Sequence, residues 1–265
     1  MRDVLAQVLA DLTAEGDRLE ALVAQLDDVG WRTPTPATGW DVATQVAHLT
    51  WTDETAATAA RSGSDEAGKA AWDAAVLGAI NDPTGFVDEG ARRVARDPGL
   101  DLRWRAGRRG LATVLAAYPH GERMPWFGPP MSAASMATAR LMETWAHSLD
   151  VHEALGAPMA DTDRIRHVAH LGVRTRDHAF GVHGLEPPAG EFRIDLVAPS
   201  EEVWSWGPED AAQTLTGSAG DFCRLVTQRV HRADTDLVAS GADVDRWLDI
   251  AQAFAGPPGE GRAPR

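Results

Sequence analysis

Apolar residues recur at helical spacing along the start of the chain: Val4, Leu5, Val8, Leu9, Leu12, then Leu19, Leu22, Val23 and Leu26. Positions three and four apart share one helix face, so this pattern predicts a long amphipathic helix over 3–27. The stretch "DDVGWRTPTPATGW" interrupts it with Gly, Pro and Thr. A second helix is predicted from about Trp40 to Arg61, a third over 66–80 and a short one over 85–96. "RAGRRGLATVLAAYP" predicts a further helix, stopped by Pro119. "HGERMPWFGPPMS" reads as a Pro/Gly loop. Ser132 or Ser135 is placed to cap the next helix, which ends near Gly156 and Pro158.

One more helix is predicted from "DTDRIRHVAHLGVRTRDHAFGVHG". The period then changes from helical to alternating. In "EFRIDLVAP", Phe192, Ile194 and Leu196 alternate with Arg193 and Asp195, which is strand periodicity. "EEVWSWGP" and "AAQTLTGS" are two further strand candidates, and "AGDFCRLVTQR" and "VDRWLDIAQAFA" return to helix. The expected architecture is mainly α: a four-helix bundle over 1–157, a smaller α+β domain over 158–256 and a flexible tail over 257–265. The helix at 161–180 fits either domain.

Composition narrows the function classes. The 265 residues are 44% hydrophobic and 24% charged, enough to build a core. The net charge of −14 argues against nucleic-acid binding, which needs a basic footprint. The one cysteine, Cys223, excludes an intramolecular disulfide and a Cys-rich zinc site. No segment has the length and apolarity of a membrane span or a signal peptide, so a cytoplasmic protein is expected, as monomer or homodimer. Ten Trp against one Tyr is an unusual balance. Most are expected in the core, with some available to line a pocket.

Candidate chemistry lies where polar residues leave the apolar stripes. In "RLMETWAHSLDVHEALG", Leu141, Trp145, Leu149 and Met142 cover one arc, while Glu143 and His147 lie on another, one turn apart. That spacing suits either a solvated acid–base pair or two ligands of one ion. In "WDVATQVAHLTWTDETAATAA", Val42, Val46 and Leu49 form the core arc, and His48 stands apart among Thr44, Thr52, Thr55 and Ala59. A rival cluster, Asp163, His167, His170 and His178, lies among four arginines that repel a divalent cation, so it reads as a solvated charged face.

These segments, taken in order, carry a resemblance. "DVATQVAHLTWTD", the loop "RMPWFGPPMS" and "ARLMETWAHSLDVHEALG" resemble the mycothiol-dependent maleylpyruvate isomerase-like family of the DinB/YfiT-like metalloproteins. The loop is closest to an uncharacterised actinobacterial branch of that family. "LTGSAGDFCRLVTQR" resembles the family's C-terminal, sterol-carrier-like domain. The most specific run is Arg140, Glu143, His147 and Asp150.

The resemblance implies a DinB-like bundle whose divalent metal, usually zinc, is held by His48, Glu143 and His147. It implies mycothiol as cosubstrate, activated for addition to an electrophilic small molecule, with isomerisation or S-transfer as the outcome. Two alternatives stay open: a metal-hydroxide hydrolase, and a metal-binding or sensor protein without catalysis. Arg229, with Arg224 behind it, is the candidate for binding an acidic substrate. Arg140 is expected to order the ligand helix through an acid. Asp150 and His152 are the candidates for holding an imidazole in one tautomer. Trp51, Trp126, Phe127 and Met131 are candidates for an apolar pocket wall, or equally for a seal between the domains.

Overall fold

The computed structural model describes residues 2–256, 258–259 and 261–265, and they form two compact units divided after Met159. The first is helical. Its helices are α1 (Arg2–Val23), α2 (Asp28–Trp31), α3 (Val42–Arg61), α4 (Glu66–Asn81), α5 (Phe86–Val94), α6 (Leu100–Ala116) and α7 (Ala133–Ala154). The four long helices α1, α3, α6 and α7 make the bundle: α3 packs on α6 and α7, and α1 on α7 and α6. Helices α4 and α5 lie against α3. The helix predicted to reach residue 27 stops at Val23, because Asp27 caps a separate turn by accepting from the Gly30 amide at 2.8 Å.

Helix α3 is buried on nearly every side, which explains its weak amphipathic pattern. Its threonines are core residues. Thr50, Thr52 and Thr55 donate their hydroxyls to the carbonyls of Val46, His48 and Trp51 at 2.7–2.8 Å. Each buried hydroxyl is thereby satisfied within its own helix. Asp41 starts α3 and Ser132 starts α7, each accepting from the amide three residues on.

The second unit holds α8 (Arg166–Arg174), α9 (Arg176–Val182), β1 (Arg193–Val197), β2 (Val203–Trp206), β3 (Thr214–Ser218), α10 (Ala219–Val226), β4 (Val238–Ser240) and α11 (Ala242–Ile250). The sheet order is β2-β1-β3-β4, with β1 and β3 parallel and both edges antiparallel. This chain is therefore a helical domain followed by a smaller α+β domain. The helix predicted across 161–184 is broken at Thr175, whose hydroxyl donates to the carbonyls of Leu171 and Gly172 and competes with the helix ladder. The three-residue β4 escapes prediction because so short a strand carries no period. Phe192, Phe222 and Trp247 meet in the core of this unit.

Candidate metal centre

Helices α3 and α7 bring His48 to Glu143 and His147 across 95 residues of sequence. The Nε2 atoms of His48 and His147 lie 3.3 and 3.1 Å from the same Glu143 oxygen, Oε2. The two imidazole rings are 4.5 Å apart. One ligand atom from each of the three residues falls within 4.8 Å of the others, and His48 is buried. Among the described residues this is the grouping of His, Cys, Asp and Glu compact enough to hold an ion. The rival cluster disperses: Asp163 accepts from the Ser200 amide, and His170 accepts from the Trp206 indole.

The electrostatics fit a cation. Burial alone would raise the Glu143 carboxyl, but hydrogen bonds and charge from His147 and His48 outweigh it and hold it well below the usual range. A carboxylate oxygen only accepts. Each imidazole nitrogen facing it must therefore bring a proton or share a cation with it. Two imidazoles and one carboxylate are the donors of an open zinc site.

The surroundings hold this geometry. The His147 Nδ1 lies 2.5 Å from Gln45 Oε1. Gln45 Nε2 donates to Thr35 Oγ1 at 2.8 Å, and Thr35 donates to the Trp40 carbonyl at 2.9 Å. The Trp40 ring stacks on His147, 5.9 Å between centroids and 15° from parallel, and tilts against His48 at 5.3 Å. Its indole N–H donates to Asp88, which Arg92 holds in turn. Gly39, at φ +78°, makes the turn that presents this ring.

Arg140 donates to Asp53 at 2.8 Å, and both side chains are 4% exposed. This pair spans α3 and α7, the helices that carry His48, Glu143 and His147. Burial pushes the Asp53 carboxyl up, against the lowering pull of the Arg140 guanidinium. Asp53 also lines a cavity of about 150 Å³ with Leu12, Trp104 and Thr144.

Asp150 is buried on the Glu143–His147 face of α7. His152 is not placed beside the imidazoles: its Nδ1 meets the Ala157 carbonyl at 3.3 Å, and its charged neighbours are Arg18 and Glu15 of α1. The residue bonded to the His147 imidazole is Gln45, which lies one turn before His48. The expected pocket aromatics join the Pro/Gly loop to α4 and α5. Trp51 packs edge-on against Phe86, Phe86 against Phe127, and Phe127 and Trp126 against Trp72. Met131 pairs through its backbone with Met124. The ring against the imidazoles is Trp40. In the second unit, Arg229 donates to the Thr227 carbonyl at 2.6 Å. Arg224 is committed to Asp161 through two bonds of 2.7 and 3.0 Å.

The chain thus carries a His/Glu/His cluster between the second and fourth long helices of a bundle, with a small α+β unit after it in sequence. Residues 12–152 match the family described as mycothiol maleylpyruvate isomerase N-terminal domain, and the chain belongs to that family. Residues 188–240 match a family described as wyosine base formation. The chain is 56% identical over 256 residues to an uncharacterized protein of Mycobacterium tuberculosis, covering 96% of this chain and 97% of that one. The crystal structure of the mycothiol-dependent maleylpyruvate isomerase shares the fold at a TM-score of 0.56 and 14% identity, covering 89% of this chain and 92% of that one. A mutant of that enzyme gives a TM-score of 0.60. Among the described residues, no helix is long and apolar enough to cross a membrane.

Proposed function

We propose that this protein is a divalent-metal-dependent, mycothiol-dependent enzyme of the isomerase or S-transferase type, with His48, Glu143 and His147 as the ligands of a zinc ion. The observation that carries the reading is the convergence of both imidazoles on one carboxylate oxygen from helices 95 residues apart. A zinc ion there would lower the pKa of a bound thiol, so that it reacts as thiolate at neutral pH.

The chain's own residues support an external thiol. Cys223 is fully buried, donates to the Ile165 carbonyl at 3.4 Å, and burial pushes its thiol well above the usual range. It offers no nucleophile. The Trp40 ring shields the imidazole pair on one side, and the Arg140–Asp53 pair holds the two ligand helices in register. The family relationship supports thiol addition to a small electrophile over hydrolysis, since the related enzyme is named for mycothiol and maleylpyruvate.

The test is metal content and thiol contact together. Wild-type protein should hold one zinc per chain, and His48→Ala and Glu143→Ala should lose it. With cobalt in place of zinc, added mycothiol should produce a thiolate-to-metal charge-transfer band. Retained metal in both variants refutes the ligand set, and no band at saturating mycothiol refutes the thiol chemistry.

A further inference from the structure

Donor and acceptor chemistry fixes the direction of the hydrogen-bond chain behind His147. A backbone carbonyl can only accept, so at the Trp40 carbonyl the Thr35 hydroxyl must donate. Having given its one proton there, Thr35 Oγ1 can only accept from Gln45. The Gln45 atom facing Thr35 must therefore be the amide nitrogen, and the atom facing His147 must be the carbonyl oxygen. That oxygen can only accept, so His147 Nδ1 must carry the hydrogen. With a shared cation the lone pair is left on Nε2, the atom that faces Glu143; without one, Nε2 carries a proton toward the carboxylate. Every step follows from the bonding capacity of the groups and from the distances.

We infer that Gln45, polarised by Thr35 and the Trp40 carbonyl, is a positioning residue that locks His147 in the Nδ1–H tautomer and so presets Nε2 as a metal donor. The inference deepens the metal-site reading and rests on it for its affinity arm. Gln45 is fully buried and Thr35 half-buried, so water does not readily replace either partner. His48 provides the contrast. Its Nδ1 is buried with no hydrogen-bond partner among the described residues, so no comparable relay sets its tautomer. The relay also ties the backbone that carries Trp40 to the imidazole on which that ring stacks.

The test uses Gln45→Leu, which removes the acceptor, Gln45→Glu, which restores one, and Thr35→Val, which removes the polarising hydroxyl at a half-buried position. Long-range nitrogen–proton spectra of the metal-free full-length protein report the His147 tautomer. Wild type and Gln45→Glu should show a proton on Nδ1, with or without a second one on Nε2 toward Glu143, while Gln45→Leu and Thr35→Val should show a fraction with Nδ1 unprotonated. Zinc affinity should fall ~10–100-fold in Gln45→Leu, the usual scale for losing a partner of a ligating histidine, and recover in Gln45→Glu. An unchanged Nδ1 signal in Thr35→Val overturns the relay, as does an unprotonated Nδ1 in wild type. Should wild type bind no zinc, the metal-centre reading falls, while the spectra still decide the relay.

Discussion

Replacing Asp53 by Ala isolates the pair that clamps the two helices carrying the candidate ligands. Both side chains are 4% exposed, so the variant leaves a guanidinium in the interior with its main acceptor gone. Breaking a buried pair on one side costs ~3–5 kcal/mol, because the remaining charge has neither water nor partner. For a unit of this size that corresponds to a fall in melting temperature of ~6–20 °C. Even in the wild type, the Arg140 Nη2 has no hydrogen-bond partner among the described residues. The pair is thus an imperfectly satisfied one, and its value lies more in registry than in stability. Removing both charges, as in Asp53→Leu with Arg140→Met, should recover most of the loss. Urea unfolding of the metal-free protein, followed by circular dichroism, measures all the variants. An Asp53→Ala cost under ~1 kcal/mol, or a double variant as unstable as the single, would refute the reasoning. On the proposed zinc site, zinc affinity should fall in the same single variant, since Asp53 follows His48 by five residues, ~7.5 Å along the helix.

Three further outcomes follow. Gly90→Ala places a Cβ within 2.5 Å of the Trp51 ring and should destabilise by ~1–3 kcal/mol; stability equal to wild type would show that the ring moves freely. Burial lowers the His152 pKa from 6.5, so the unfolded chain takes up a proton before the folded one does; stability is full above that pH and declines as pH falls through it toward the folded value. His152→Gln should flatten this part of the urea-unfolding profile of the metal-free protein, and an unchanged slope would contradict it. Cys223 should stay unreactive toward a thiol reagent in the native protein and react once unfolded; rapid native labelling would count against its burial.

The sequence shows the helices through their periods, and it shows the candidate ligands as polar residues off the apolar arcs. His48, Glu143 and His147 stand out for that reason. Their partners do not. Gln45 lies on a helix buried all round, where no polar face marks a position as special. Trp40 and Thr35 sit in a turn whose course depends on a left-handed glycine and on the bonds from Thr35 and Val42 to Trp40 and Thr33. Asp88, which anchors the Trp40 indole, comes from a helix 48 residues away. His152 misleads because it lies only five residues after His147, yet the helix turns it toward α1. Local pattern reports which face a residue shares; it carries no record of which distant element covers that face.

The separation of 95 positions between His48 and Glu143 also bears on how the protein is made. An unfolded chain offers at most Glu143 and His147 as near neighbours, a poor chelate, whereas the closed bundle supplies all three donors. An ion that prefers the closed form shifts the folding equilibrium by mass action, by ~2.7 kcal/mol at a free concentration one hundred times its dissociation constant. On the zinc reading, the metal supply of the cell would set both how much of the enzyme works and how much of it survives.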